Sequence, residues 1–280
     1  MIVVALVAGA ALAHAAWNLA IKRAGTSGAG FLWLAFLVGT VLYAPFGITS
    51  LAAEGVDLLR LLPLAAVSGL LQLAYFLLLQ RGYRLGDVSV VYPLARGTGP
   101  LLAVLFAVLL FGETPTWFGI AGALIVVAGV VLIGLTGTRV NRIGVLYGLA
   151  VGVLIATYTI WDAHAVLNER MPPVGYYWAS LVMQTVLFAV PALRRPAETF
   201  TVARRHPWGI LIVGLLSPLA YVLILLAFQL APVSLVAPAR EVSVVLVALG
   251  GWLLFREPHP LKRILGSLVV LAGVALLSLG

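Results

Sequence analysis

The sequence VYPLARGTGP spans residues 91–100, and the sequence APARE spans residues 237–241. The proline and the arginine of the first stretch recur in the second, 145 and 144 positions later. Arginine is costly inside an apolar run, so a proline–arginine pattern that occurs in two such runs needs an explanation. This spacing predicts that the chain consists of two copies of one unit.

Other uncommon residues follow the same offset in the same order. The further pairs are Trp17 with Trp161, Trp33 with Trp178, Thr40 with Thr185, Ser89 with Ser234, Phe111 with Phe255 and Glu113 with Glu257. Apolar coincidences are frequent in so apolar a sequence, whereas ordered matches of tryptophan and glutamate are not. The two units are therefore assigned to residues 1–138 and 139–280.

The composition is that of an integral membrane protein. Of the 280 residues, 63% are hydrophobic and 9% are charged, whereas a soluble domain is nearer half apolar and one quarter charged. Much apolar surface must therefore face lipid, where only helices and closed barrels can span the bilayer. The apolar runs are continuous over about 20 residues, which indicates helices rather than alternating barrel strands.

Glycine, proline and charge clusters divide the chain into ten predicted spans. Their approximate bounds are 2–21, 29–50, 61–80, 87–111, 116–136, 142–163, 174–193, 208–228, 233–255 and 261–279. The first resembles a signal peptide but lacks a basic region before its apolar run, and the repeat requires it as a helix. The longest loop is expected between residues 194 and 207.

Five spans per unit is an odd number, so the second unit enters the membrane in the opposite orientation. An all-helical protein of two inverted five-helix repeats around a central cavity is an architecture of secondary transporters. Thirteen basic residues lie in the loops after odd-numbered spans, against Arg60 and Arg170 on the other side. The positive-inside rule then places both termini outside the cytoplasm. The thirteen are Lys22, Arg23, Arg81, Arg84, Arg139, Arg142, Arg194, Arg195, Arg204, Arg205, Arg256, Lys262 and Arg263.

The two proline–arginine stretches, continued to Glu113 and Glu257, resemble the fourth and ninth helices of EamA-type proteins of the drug/metabolite transporter superfamily. Trp17 and Asn18, followed by Lys22, are similar to the end of that family's first helix. The resemblance covers nearly the whole chain. It implies a ten-helix basket whose cavity is formed by helices 1, 3, 4, 6, 8 and 9. It also implies transport of amino acids or other metabolites, and for many members cytoplasmic termini, which the charge count here opposes.

The intramembrane arginines are the first candidates for substrate binding. A guanidinium can hold a carboxylate or phosphate through two parallel hydrogen bonds. Arg96 or Arg240 would bind an anionic group, and Glu241 would be their partner or a proton carrier. The alternative is a structural ion pair that joins the two units.

Two further groups of polar and aromatic residues repeat between the first and sixth spans. His14, Trp17 and Asn18 share one helical face, and Tyr158, Trp161 and Asp162 repeat that face. An imidazole can titrate near neutral pH, and a buried aspartate is a candidate for proton coupling. The alternative for the tryptophans is anchoring at the membrane interface, where they concentrate.

Aromatic residues of the middle spans are candidates for a cavity wall that admits apolar or ring-bearing substrates. The aromatic residues are Tyr75, Phe76, Tyr92 and Tyr221, and the polar Gln72 lies on the third span with Tyr75 and Phe76. The alternative is that they face lipid. Glu113 and Glu257 are expected to fix helix ends through hydrogen bonds. Gly122, Gly129, Gly266 and Gly273 are expected to let the fifth and tenth spans pack closely, against each other or other helices.

The sequence thus predicts a secondary transporter that exports amino acids or similar metabolites across a bacterial-type inner membrane. It contains no cysteine, HExxH pair, Walker loop or GxSxG elbow, so no enzyme activity, cofactor or metal is expected, and transport must use a gradient, such as that of protons, or exchange. No basic patch suggests nucleic acid. An uptake carrier for an organic anion, a lipid or glycolipid flippase, and a scaffold or enzyme are the alternatives. Monomer and homodimer both stay open.

Overall fold

The computed structural model describes residues 1–25, 28–86, 88–134, 142–255 and 260–279, and every regular element in them is a helix. Arg139, Arg256 and Glu257 lie outside the described residues. The helices are α1 Ile2–Ala24, α2 Ala29–Ala53, α3 Leu58–Leu85, α4 Val88–Phe111, α5 Trp117–Gly134, α6 Arg142–Leu167, α7 Pro173–Leu193, α8 Pro196–Arg205, α9 Pro207–Phe228, α10 Val233–Ala239, α11 Val242–Phe255 and α12 Pro260–Leu277. The prediction of an all-helical fold is confirmed.

Most of these helices are long and apolar enough to cross a bilayer. In the described residues eight segments meet that criterion, one of them the combined α10–α11 segment Val233–Leu254. Two shorter apolar segments, Trp117–Ile133 and Ile264–Leu277, belong to α5 and α12. The protein is therefore an integral membrane protein, because helices of this kind satisfy their own backbone in lipid.

The expected loop between residues 194 and 207 contains a helix instead. Helix α8 begins at Pro196, carries Glu198 in its first turn and ends with Arg204 and Arg205. Proline at the start, acid at the positive end and base at the negative end all favour a helix. At 10 residues α8 is too short to span a bilayer, and charge-rich composition hid it from a search for apolar runs.

The predicted ninth span is broken in the middle. Helix α10 ends at Ala239 and α11 begins at Val242, and between them Ser243 N donates to the Arg240 carbonyl at 3.1 Å. Such three-residue turns tighten a chain that leaves α-helical geometry. Helix α4 contains two prolines and is not broken, so a proline does not suffice to break this span. One difference between the repeats at the break is Glu241, whose counterpart in α4 is Gly97.

Helices α2 and α7, which occupy matching places in the two units, are joined by reciprocal hydrogen bonds. The Trp33 indole donates to the Thr185 carbonyl and the Trp178 indole donates to the Thr40 carbonyl, each at 3.0 Å. The hydroxyls of Thr40 and Thr185 lie 2.8 Å apart. Partner numbers fall along α7 as they rise along α2, so the two helices are antiparallel.

Helices α5 and α12 form a second reciprocal contact, through glycines. A Cβ atom on Gly122 would lie 2.8 Å from the Gly273 carbonyl, and one on Gly273 would lie 2.8 Å from the Gly122 carbonyl. Gly129 and Gly266 meet in the same way. This confirms that these glycines let the two helices pack closely, and against each other. Here too the order of contacts makes the helices antiparallel.

Alanine at Gly129 should lower the stability of the protein, whereas alanine at Gly119 on the same helix should not. A Cβ on Gly129 would lie 2.7 Å from the backbone nitrogen of Val270, while one on Gly119 finds ordinary contacts at 3.6 Å. Overpacking costs about 1–3 kcal/mol, and a free helical site gains about 0.5–1 kcal/mol. The thermal midpoint of each purified variant in detergent measures the difference. Equal midpoints would contradict the close packing.

Most of the other extensive contacts between helices also occur in exchanged pairs. Helix α1 packs on α9 and α11, and its counterpart α6 packs on α3 and α4. Helix α2 packs on α9, and its counterpart α7 packs on α3. Helix α4 packs on α5, and its counterpart α11 packs on α12. Each pair becomes the other when the two units are exchanged. This is the pattern that a twofold relation between two similar units produces.

Glu113 connects the two units at the start of α10. Its carboxylate accepts hydrogen bonds from Val233 N at 2.7 Å and Ser234 N at 2.9 Å. The first amides of a helix have no partner within it, and a carboxylate there also meets the positive end of the helix dipole. Glu113 was expected to hold the end of its own helix; it holds the beginning of a helix in the other unit.

Candidate functional site

A cavity of about 300 Å³ lies between the two units. Side chains from α1, α3, α4, α6 and α9, together with Arg240 and Ser243 of the broken α10–α11 span, line it. These are the predicted spans 1, 3, 4, 6, 8 and 9 that the resemblance implied, and Leu32 and Phe36 of α2 and three residues of α7 line it as well. The volume is at the small end of the range for small-molecule sites. Nine of the twelve predicted site residues line it: His14, Trp17, Asn18, Tyr75, Tyr92, Arg96, Tyr158, Tyr221 and Arg240.

One glutamate and two arginines form the charged part of this site. Arg96 Nε lies 3.1 Å from Glu241 Oε2, and Arg240 Nε lies 3.5 Å from Glu241 Oε1. Both contacts are ion pairs rather than well-directed hydrogen bonds. Arg240 and Glu241 lie in the break between α10 and α11, and the Glu241 carboxylate reaches arginines from both units.

The burial of these three residues differs in a way that matters for binding. The Glu241 side chain is fully buried and is absent from the cavity lining, whereas the arginine side chains are 11% and 10% exposed. Two guanidiniums face one carboxylate, so the group carries one excess positive charge. Nη2 of Arg240 is buried and has no hydrogen-bond partner in the described part of the chain. The site is therefore suited to a negatively charged group.

The predicted face of α1 lies next to Arg96. Arg96 Nη2 is 3.5 Å from His14 Nε2 and donates to Ser243 Oγ at 3.3 Å. The His14 and Trp17 rings meet edge to face at 4.8 Å. Asn18 donates its amide to the His14 carbonyl at 2.7 Å. These contacts fix the polar side of the cavity around one guanidinium.

Tyrosines form the opposite, aromatic side. The ring centroids of Tyr75 and Tyr158 are 5.8 Å apart, those of Tyr158 and Tyr221 are 6.1 Å apart, and those of Tyr177 and Tyr221 are 5.0 Å apart. Edge-to-face and tilted arrangements at these distances are favourable between rings. A wall of this kind accepts an apolar or ring-bearing portion of a substrate.

Trp161 and Asp162 do not line the cavity. The Trp161 indole donates to the Leu64 carbonyl at 2.9 Å and so joins α6 of the second unit to α3 of the first. Asp162 is fully buried behind Tyr221, whose hydroxyl donates to Asp162 Oδ2 at 2.6 Å. Of the three residues on the predicted face of α6, only Tyr158 lines the cavity.

The sequence interpretation missed the contribution of α7. Tyr177, Gln184 and Phe188 of that helix line the cavity, and the Gln184 side-chain nitrogen is buried without a hydrogen-bond partner in the described residues. A glutamine in the middle of an apolar span was the signal that could have found it, because such residues rarely lie in lipid without a role.

The arrangement can bind by charge, hydrogen bonding and ring stacking. No group of three or more histidine, cysteine, aspartate or glutamate residues could hold a metal ion in the described ranges. The cavity places a cationic group, a row of rings and a few polar side chains around a volume that fits a small metabolite.

Comparison with known proteins agrees with this architecture. No curated protein matches the chain. One solved structure, described only as the crystal structure of a protein, is 20% identical in sequence, with a TM-score of 0.73 over 99% of this chain and 96% of the other. At that identity the likeness shows the fold alone. The sequence profile of the EamA-like transporter family matches residues 1–135 and again residues 142–279. The chain therefore belongs to the EamA-like transporter family.

Proposed function

We propose that the protein is a secondary transporter whose two units are inverted in the membrane and rock around the central cavity. The antiparallel pairs α2–α7 and α5–α12 join helices of matching position, which supports the inverted arrangement. Contacts that exchange with the units support a twofold relation in the plane of the membrane. Ten spans follow if α10 and α11 cross the membrane as one broken helix.

The observation that carries the proposal is the convergence of Arg96 and Arg240, one from each unit, on Glu241 at the cavity. Ion pairs that join moving parts can be remade differently in each conformation, and the excess positive charge gives a substrate carboxylate a place to bind. We infer that the substrate is a small metabolite with a carboxylate. The first candidate function is export of amino acids across a bacterial-type inner membrane.

A second candidate is transport of an organic anion without an ammonium group. Among the described residues that line the cavity, none is aspartate or glutamate. An amino acid brings an ammonium group that would need an acceptor there, such as a tyrosine ring face. An organic anion has no such need, and this favours uptake of an organic anion as the alternative.

Counterflow into proteoliposomes at equal pH on both sides tests the function and separates the two candidates. Radiolabelled phenylalanine and 3-phenylpropionate share a ring and a carboxylate and differ only in the ammonium group; leucine and succinate extend the comparison. Faster uptake of phenylalanine supports the amino-acid candidate, and faster uptake of 3-phenylpropionate supports the anion. Protein-free liposomes correct for leakage. Flux of none of the four compounds above that background would refute a carboxylate carrier.

The loop charges support a position of both termini on the non-cytoplasmic side. A tag fused to the C-terminus should therefore react with a membrane-impermeant reagent added to intact cells. Reaction only after permeabilisation would reverse the orientation without affecting the fold.

A further inference from the structure

Asp162 is a buried carboxylate that substrate binding at the arginines does not use. It is fully buried, and the hydroxyls of Tyr176 and Tyr221 each donate to one of its oxygens at 2.6 Å. No lysine, arginine or histidine nitrogen of the described residues lies within 4.0 Å of it. An ionisable group within a span, without a charged partner, indicates a functional role by default.

Glu241 differs from Asp162 in its surroundings. Two guanidiniums flank Glu241, so a proton added there would leave two buried cations without a counter-charge. Neutral hydroxyls surround Asp162, so a proton added there removes a buried charge and leaves no other charge unpaired. Of the two buried carboxylates that the described residues place near the cavity, Asp162 is the one that can change its charge without breaking an ion pair.

Tyr221 connects Asp162 to the cavity. Its ring lines the cavity beside Tyr158 and Tyr177, and its hydroxyl reaches away from the cavity to Asp162. Tyr176, the other hydroxyl donor, is fully buried and does not line the cavity. The same carboxylate thus has one partner that a substrate can touch and one that it cannot.

The hydroxyl-bearing residues near Asp162 lie on α3, α6, α7 and α9. Tyr158 lies on its own helix, Tyr176 and Tyr177 lie on α7, Tyr221 lies on α9, and Ser68 lies nearby on α3. Arg240 acts on Asp162 electrostatically without entering ion-pair distance. Apart from Arg240, all of these groups are hydroxyls.

We propose that Asp162 is the proton-binding site of the transport cycle and that Tyr221 links its charge to occupancy of the cavity. This inference rests on the transport function proposed above. When Asp162 is charged, the Tyr221 hydroxyl proton is held by the carboxylate. When Asp162 takes up a proton from water, the carboxylic acid can donate to one hydroxyl oxygen, and the Tyr221 hydroxyl is free to turn toward a substrate. Proton and substrate therefore bind together, as in symport, and an inward proton gradient would drive uptake rather than export.

Flux driven by a pH gradient tests the proposal directly. Uptake of all four compounds named above is measured with equal pH on both sides and with a gradient that is acidic outside the liposomes. The ratio of the second rate to the first is then compared between proteins. Wild type should give a ratio of at least about fivefold for the transported compound, in the usual range of coupling between two sites. Asp162→Asn should give a ratio near one and keep counterflow at equal pH.

A matched pair of tyrosine variants separates coupling from packing. Tyr221→Phe and Tyr176→Phe each remove one hydroxyl from the same carboxylate. Tyr221→Phe should lower the gradient ratio several-fold, whereas Tyr176→Phe should keep it, because Tyr176 does not contact the cavity. These variants keep Asp162, so they also serve if Asp162→Asn does not fold.

The outcomes distinguish this inference from the function on which it rests. Gradient-driven flux by Asp162→Asn at the wild-type ratio, or a wild-type ratio of one with normal counterflow, would overturn proton coupling at Asp162 and leave the transporter intact. Equal loss of coupling in both tyrosine variants would overturn the role of Tyr221. Absence of counterflow in wild type would instead refute the proposed function.

Discussion

Replacement of Arg96 by alanine should reduce counterflow at least about 30-fold and leave the protein folded. Loss of a buried, hydrogen-bonded charge partner costs about 2–5 kcal/mol of binding, and each 1.4 kcal/mol corresponds to about tenfold. The fold should survive because Glu241 keeps Arg240 at 3.5 Å as a partner. Proteoliposome counterflow measures the first effect, and size-exclusion profile with thermal midpoint in detergent measures the second.

Lysine at position 96 is the matched control for charge. It keeps one positive charge but cannot place two parallel hydrogen bonds on a carboxylate, so we expect intermediate transport. Wild-type counterflow by Arg96→Ala would remove this residue from the binding site and would favour a purely structural ion pair between the units.

Glu241→Gln should have the largest effect on stability. It leaves two buried guanidiniums, those of Arg96 and Arg240, without their carboxylate. Removing one member of a buried ion pair typically costs about 3–5 kcal/mol. The thermal midpoint of the purified variant should fall accordingly, and its yield from the membrane should fall with it.

The same substitution at Glu198 provides the control. Glu198 pairs with Arg195 at 3.4 Å on α8, and their side chains are 69% and 74% exposed. Exposed pairs contribute about 0–1 kcal/mol, so Glu198→Gln should leave the midpoint nearly unchanged. A Glu241→Gln variant as stable as Glu198→Gln would mean that the carboxylate does not hold the two arginines together.

The repeat pattern in the sequence pointed to contacts that the structure shows between the two units. Trp33, Trp178, Thr40 and Thr185 were matched by offset alone, and they form reciprocal hydrogen bonds in space. Their pairing is predictable because residues near a twofold axis meet their own counterparts. The membrane location and the helical fold followed from hydrophobicity, and the family followed from short motifs. Each of these signals can be read within a single span.

Features that depend on three-dimensional packing were not predictable in the same way. Asp162 shares a helical face with Tyr158, yet the position of Tyr221 on a distant helix decides that Asp162 lies behind the cavity wall. The break after Ala239 was also hidden, since α4 has prolines and stays continuous. The sequence places residues on faces, but neighbouring helices decide what each face meets.

The interrupted helix at Arg240 and Glu241 has an energetic consequence for the transport cycle. In the inverted arrangement proposed above, two identical copies would give inward-facing and outward-facing states of equal free energy, since each state would be the other turned over. Here only the second copy has the interruption and its carboxylate, while the first runs straight through Gly97. The inward-facing and outward-facing states should therefore differ in free energy. We expect the empty protein to rest with its opening toward one side of the membrane.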